Sequence, residues 1–177
     1  MAQNENKDRR LTGMFSDRES TEWAYNDLND RGYTDEDIDV VMSEDTRKTH
    51  FADDDIGGTE IGTKAAEGAG KGSAIGGAVG AIVGIVAAIG TSIVIPGLGL
   101  VVAGPLAAGL AGAGAGGVTG GIIGALVGSG IPEARAKIYE SGIKEGNVVL
   151  SVRPRNEEDA RYFEKSWKDN KGQEVYW

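Results

Sequence analysis

The sequence predicts an α+β fold: a small open sandwich of about four strands and three helices, with a glycine-zippered hydrophobic helical hairpin inserted between its halves. Two observations carry this. Residues 72–132 hold no charged side chain, although the 177-residue chain has 18 Lys and Arg and 27 Asp and Glu. On both sides of that block, apolar residues recur alternately with strand and helix periods. The expected organisation is a strand-helix-strand module over 1–50, an acidic and glycine-containing linker over 51–71, the hydrophobic hairpin over 72–132, and a helix-strand-helix-strand half over 133–177.

Taken in order, Leu11 to Phe15 is a short apolar run. Ser16 followed by Glu19 reads as a capping box, in which each side chain satisfies a free backbone N–H at a helix start. Ala24 and Leu28, joined by Trp23 or Tyr25, give that helix one apolar face, and Gly32 supplies a left-handed residue to end it. Ile38, Val40, Val41 and Met42 make a second strand, with Asp37 and Asp39 alternating near its start. After the block, Pro132 suits a first helical position, and the helix it opens ends near Gly142 or Gly146. "NVVLSVRP" is a strand stopped by Pro154; Asn156 caps a last helix whose Ala160, Phe163 and Trp167 form one stripe, and "QEVYW" closes the sheet. Four strands and three helices in this order suggest a sandwich of ferredoxin-like type.

Within the block, Gly68, Gly72, Gly76, Gly80 and Gly84 recur every fourth residue, as do Gly112, Gly116, Gly120, Gly124 and Gly128, with Gly104 and Ala108 extending the second row. On a helix this spacing draws a groove along which two backbones approach closely. In water each interior glycine costs a helix roughly 1 kcal/mol against alanine, so such rows fit close packing better than a solvated surface. The expectation is therefore two helices, roughly 68–94 and 100–129, hinged at Pro96-Gly97. Each arm reaches the ~20 residues needed to cross a bilayer. Lys64 and Lys71 before the block, with Arg135 and Lys137 after it, would keep both ends on the cytoplasmic side. The turn "SIVIPGLGLVV" lacks charge, Trp and Tyr to hold a far interface, which favours a hairpin that re-enters the bilayer from the cytoplasmic side, or burial against sister copies in a soluble ring, shell or filament.

Composition narrows the partners. The net charge of -9 is an N-terminal acidic surplus, and no Lys/Arg-rich run offers a nucleic-acid or anionic-lipid footprint. With no cysteine, disulfides, thiolate nucleophiles and Cys-ligated zinc are excluded. The start "MAQNENKDRRLTG" lacks the apolar core of a secretory signal, so a cytoplasmic location is expected.

Apparent catalytic motifs fail on context. Gly112, Gly114 and Gly117, with Glu133 further on, match a dinucleotide fingerprint but lie inside the longer glycine period. "GAGKGS" around Lys71 has Gly72 where a phosphate loop needs Ser or Thr, and Ala65 where its first glycine belongs. Asp53, Asp54 and Asp55 with Gly58 suggest a calcium loop, yet the twelfth position is Lys64. Asp35, Glu36 and Asp37 read as surface charge, and His50, the single histidine, as an exposed loop residue. No catalytic, cofactor, metal or small-molecule site is expected, and a nucleotide-binding enzyme is the remote alternative.

The segment "TGMFSDRESTEWAYNDLNDRGYTDEDIDVVMSEDT" resembles the bacterial general stress protein family, also labelled heat-induced stress protein. The likeness rests on Gly13 and Phe15 before the first helix, then on Gly32, Tyr33, Asp35 or Asp37, Ile38, Val40 and Val41. Further on, Gly130 to Glu133 and Gly146 to Val152 look like the "GIPE" and "GxxxVxV" segments of its longer, glycine-centred members. The resemblance implies a cytoplasmic stress-response protein without enzymatic activity, and it brings no catalytic residues. The combined expectation is a non-enzymatic protein whose glycine rows mediate membrane association and homo-oligomerisation.

Overall fold

The computed structural model describes residues 9–51, 93–95, 98–107 and 121–177. In chain order these form β1 (Leu11–Phe15), α1 (Arg18–Asp30), β2 (Ile38–Ser43), the single turn α2 (Glu44–Thr46) running on into a π-type turn (Arg47–Phe51), β3 (Ile93–Ile95), β4 (Leu100–Ala103), α3 (Gly121–Gly128), α4 (Glu133–Lys144), β5 (Val148–Val152), α5 (Glu157–Asp169) and β6 (Gln173–Tyr176).

The α+β class holds, but the sheet has six strands rather than about four, in the order β3-β4-β2-β5-β1-β6. Every neighbouring pair is antiparallel. Because β1 and β2 both flank β5 and both run against it, they are parallel to each other and joined by α1. In the same way β5 and β6 flank β1 and are joined by α5. Two β-α-β units thus interlock, each supplying the strand that separates the other's pair.

The two added strands come from the centre of the charge-free block. Ile93, Val94 and Ile95 pair with Val102, Val101 and Leu100, and β4 continues the sheet beside β2 through Val40↔Ala103 to Ser43↔Leu100. This corrects the expected helical hairpin hinged at Pro96-Gly97: the ends of its two arms are strands. The cause lies in the side chains. β-branched residues cluster in this stretch, where the pleated surface suits their restricted χ1, and Gly99 takes the left-handed φ of +61° that the reversal needs.

Both faces of the sheet are covered. On one, Leu11, Phe15, Val40, Met42 and Leu150 pack with Ala24 and Leu28 of α1 and Phe163 and Trp167 of α5. On the other, Met14, Val41, Val102 and Val149 pack with Ile122 and Leu126 of α3 and Ala136, Tyr139 and Ile143 of α4. The three inner strands β1, β2 and β5 are therefore buried on both sides, which is why they read as nearly continuous apolar runs.

Most helix ends follow their local sequence. Asn156 caps α5 by accepting the Asp159 N–H, and Gly32, at φ +79°, closes α1 while the Tyr33 N–H bonds back to Leu28. Gly146 rather than Gly142 ends α4, with the Asn147 N–H bonded to the Gly142 carbonyl. Two ends differ. Asp17, not a Ser16–Glu19 box, caps α1, its carboxylate taking the Ser20 N–H at 2.8 Å, and Pro132 sits at the cap of α4 instead of inside its first turn. Tyr25 takes the inward place on α1, leaving Trp23 exposed.

Candidate functional site

The positions expected to form a helical groove divide. Gly68, Gly72, Gly76, Gly80, Gly84, Gly112, Gly116, Gly120, Pro96 and Gly97 lie outside the described residues. So do the acidic Asp53 to Asp55 and the phosphate-loop and dinucleotide-like glycines. Gly124 lies within α3 and Gly128 closes it, where an added Cβ would meet nothing within 4 Å.

Gly104 is not a groove residue. It follows β4 in the left-handed region at φ +94°, and a Cβ there would lie 2.1 Å from the carbonyl oxygen of Ile38. Its lack of a side chain lets the chain leave β4 pressed against the backbone of β2. Beyond it the chain turns helical at 105–107.

That close approach completes a polar row across the otherwise apolar second face. Thr12 on β1, Ser151 on β5 and Asp39 on β2 are cross-strand partners through Thr12↔Ser151 and Asp39↔Ser151, and all three are buried. Arg10, just before β1, is buried beside them and directs Nη1 to Asp39 Oδ2 and, at 3.2 Å, to Ser151 Oγ. The Leu106 N–H donates to the other carboxylate oxygen of Asp39 at 2.6 Å. At the far end of the row the Tyr139 hydroxyl donates to the Glu174 carbonyl at 2.8 Å, and so accepts from Thr12 Oγ1 at 2.7 Å.

Electrostatics follow the burial. Desolvation pushes the Asp39 carboxyl above its ordinary range, outweighing the opposing pull of Arg10 and the Leu106 N–H. Burial also raises the Tyr139 hydroxyl. Each carboxylate oxygen of Asp39 already holds a donor, so chemically the row works as a fastener. It ties the chain leaving β4 to the start of β1 through a charge pair in the core.

A second feature is a cleft of about 430 Å³ lined by Ser43, Thr46, Thr49, His50, Lys144 and Gly146, among others. Its polar wall is partly self-satisfied: Ser43 Oγ and Thr46 Oγ1 are 2.7 Å apart, and Thr46 Oγ1 donates to the Gly146 carbonyl at 3.2 Å. His50 is exposed there, as its sequence context suggests. Two acids read as surface charge stand at the surface and have specific partners there. Asp35 accepts from the Tyr25 hydroxyl, and Asp37 accepts from the Thr34 N–H and from Arg155, each at 3.0 Å. Among the described residues no group of three metal-ligating side chains is assembled, and no helix is long and apolar enough to cross a membrane.

Compared with known proteins, the chain matches no family model, no curated protein and no solved structure. Function is therefore argued from the residues themselves. Sequence reasoning missed Arg10, Asp39 and Ser151 as a unit. The available signal was Asp39 itself: a lone acid between Ile38 and Val40, in a strand with no polar neighbour until Ser43, needs a cation if both faces are covered.

Proposed function

We propose that this chain is a non-enzymatic protein of the general stress type, cytoplasmic, whose α+β domain carries glycine-rich apolar segments that associate with the same segments of sister copies. One observation carries the reading: both faces of the sheet are already covered by the described helices. The apolar sequence at 72–92 and 108–120 is not needed to cover those faces, which favours burying it against a second copy or lipid. The strand order β6-β1-β5-β2, with α1 and α5 on one face, supports reading the flanks as a ferredoxin-like sandwich that carries 44–147 as an insertion.

Association with a membrane is the second reading, favoured by the charge-free run itself. With strands at 93–95 and 100–103 and α3 packed on the sheet, the second arm keeps only 104–120 outside these elements, short of the ~20 residues a span needs, which favours assembly between copies over a two-arm span. Expression followed by membrane separation and mass measurement without detergent tests both. Self-association predicts a soluble particle of several times 18.4 kDa, reduced in mass by Gly80→Leu or Gly120→Leu; the membrane reading predicts recovery only with detergent. A monodisperse, soluble 18.4 kDa particle refutes both. Equilibrium binding of labelled ATP and NAD checks the remaining alternative, a nucleotide-binding enzyme.

A further inference from the structure

α4 and β6 meet at Glu174. β6 is weakly anchored: it pairs with β1 through Thr12↔Tyr176 and Met14↔Gln173, with a register shift between them, and Val175 is its one buried residue. Val175 reaches inward at Gly13 of β1, where an added Cβ would lie 3.3 Å from it and 2.8 Å from the Trp167 ring. Among the described residues only Lys171, at +66°, and Glu174, at +50°, take a positive φ without being glycine. The first belongs to the end of α5, where the Gly172 N–H returns to the Trp167 carbonyl at 2.8 Å. The second lies inside a strand, with no helix end to account for it, in a conformation that side chains disfavour.

Such a backbone persists where its surroundings over-determine it, and at Glu174 those surroundings are α4. The Tyr139 hydroxyl donates to the Glu174 carbonyl at 2.8 Å. Arg135 pairs with the Glu174 carboxylate at 2.6 Å and lies over the Tyr176 ring at 4.6 Å. Tyr139 is itself held in place, fully buried and bonded to Thr12 Oγ1 at 2.7 Å. We infer that α4 is a clasp and β6 a strap under strain: when Arg135 and Tyr139 let go of Glu174, the C-terminal strand undocks as a unit. Undocking uncovers Trp167 and the side of β1 that β6 pairs with, while the other five strands stay paired. α4 follows the glycine-rich block and packs with α3 at its end, so a movement of that block is passed to the strap through this helix. The clasp is independent of self-association and holds whatever covers the glycine rows.

Hydrogen exchange of the full chain, read by mass spectrometry, follows the strap at 173–177 with β5 at 148–152 as internal reference. Tyr139→Phe removes the hydrogen bond to Glu174 and should speed exchange of the strap about fivefold while β5 is unchanged. Glu174→Gly relieves the backbone at that position. Added to Tyr139→Phe, it should slow the strap again by about threefold, even though it deletes the Arg135 ion pair. An ordinary structural contact gives the opposite result, because losing a second contact would loosen the strap further. Arg135→Gln, at the surface, should speed the strap by about twofold on its own, and it decides the matter if Tyr139→Phe also loosens β5. Strap exchange that is unchanged in both single variants, or that rises when Glu174→Gly is added, overturns the clasp.

Discussion

Replacing Arg10 by Met tests the buried fastener most directly. The side chain is 94% buried, the Asp39 side chain wholly so, and their contact crosses from the residue before β1 to β2. Removing the cation leaves a carboxylate at the end of the sheet with the Leu106 N–H as its remaining described hydrogen-bond donor. Breaking a buried pair from one side typically costs about 3–5 kcal/mol, against about 0–1 kcal/mol for an exposed pair. Since whole domains are stable by about 5–15 kcal/mol, Arg10→Met should lose roughly a fifth of the total or more. The double variant Arg10→Met/Asp39→Leu removes both charges. It leaves mainly the Leu106 N–H without its acceptor, at about 1–3 kcal/mol, so it should be more stable than Arg10→Met alone. Urea unfolding followed by the fluorescence of Trp167, which is fully buried, reads each variant. The pH dependence has a definite sign. Asp39 in the folded protein binds its proton more readily than at its ordinary value of 3.8, so its contribution to stability falls as pH rises through the window above 3.8. Loss of Arg10 widens that window, and the penalty of Arg10→Met should be smaller at pH 5 than at pH 7. A loss under about 1 kcal/mol, or single-variant effects that simply add in the double, would refute the reasoning.

Three further outcomes follow from backbone geometry and capping. Gly104→Ala must place a Cβ against the Ile38 carbonyl at a left-handed φ, and should cost about 2–4 kcal/mol in urea titration. Gly99→Ala, left-handed too but with open space around it, should cost only about 1–2 kcal/mol. Asp17→Ala should cost about 1 kcal/mol at pH 7 by thermal melting. The Ser20 N–H holds the Asp17 carboxyl below 3.8 in the folded state, so that stabilisation is complete above 3.8 and is lost as pH falls through the lowered value. The deficit of Asp17→Ala should therefore vanish toward pH 2, and a deficit independent of pH would count against the cap.

What the sequence made legible is local. The apolar stripe Ala160, Phe163, Trp167 and the caps at Gly32 and Asn156 depend on neighbours within a turn or two, and they stand where periodicity placed them. β3 and β4 were not legible because a short uncharged run fits a buried helix and a buried strand equally well, and the glycine period pointed to the helix. The burial of Asp39 was not legible for a non-local reason: alternation of acid and apolar residues signals a half-exposed strand only when one face is open. Here α3 and α4, from about ninety residues further along, close the second face, and Arg10 arrives from before β1. The capping residue of α1 shifted by one because Ser16 and Asp17 are both competent caps, and only the path of the chain out of Phe15 chooses between them.

The placement of β5 between β1 and β2 has a temporal consequence. β1 and β2 emerge early in synthesis, and although β4 can reach β2 sooner, the strand that joins the two, β5, lies roughly a hundred residues behind β2. At a ribosomal rate of about 5–20 residues per second, that delay is on the order of ten seconds. The whole uncharged block leaves the ribosome within it, before the sheet that shelters part of the block can close. The closed sheet therefore cannot form until most of the chain has been made, however early its first two strands appear.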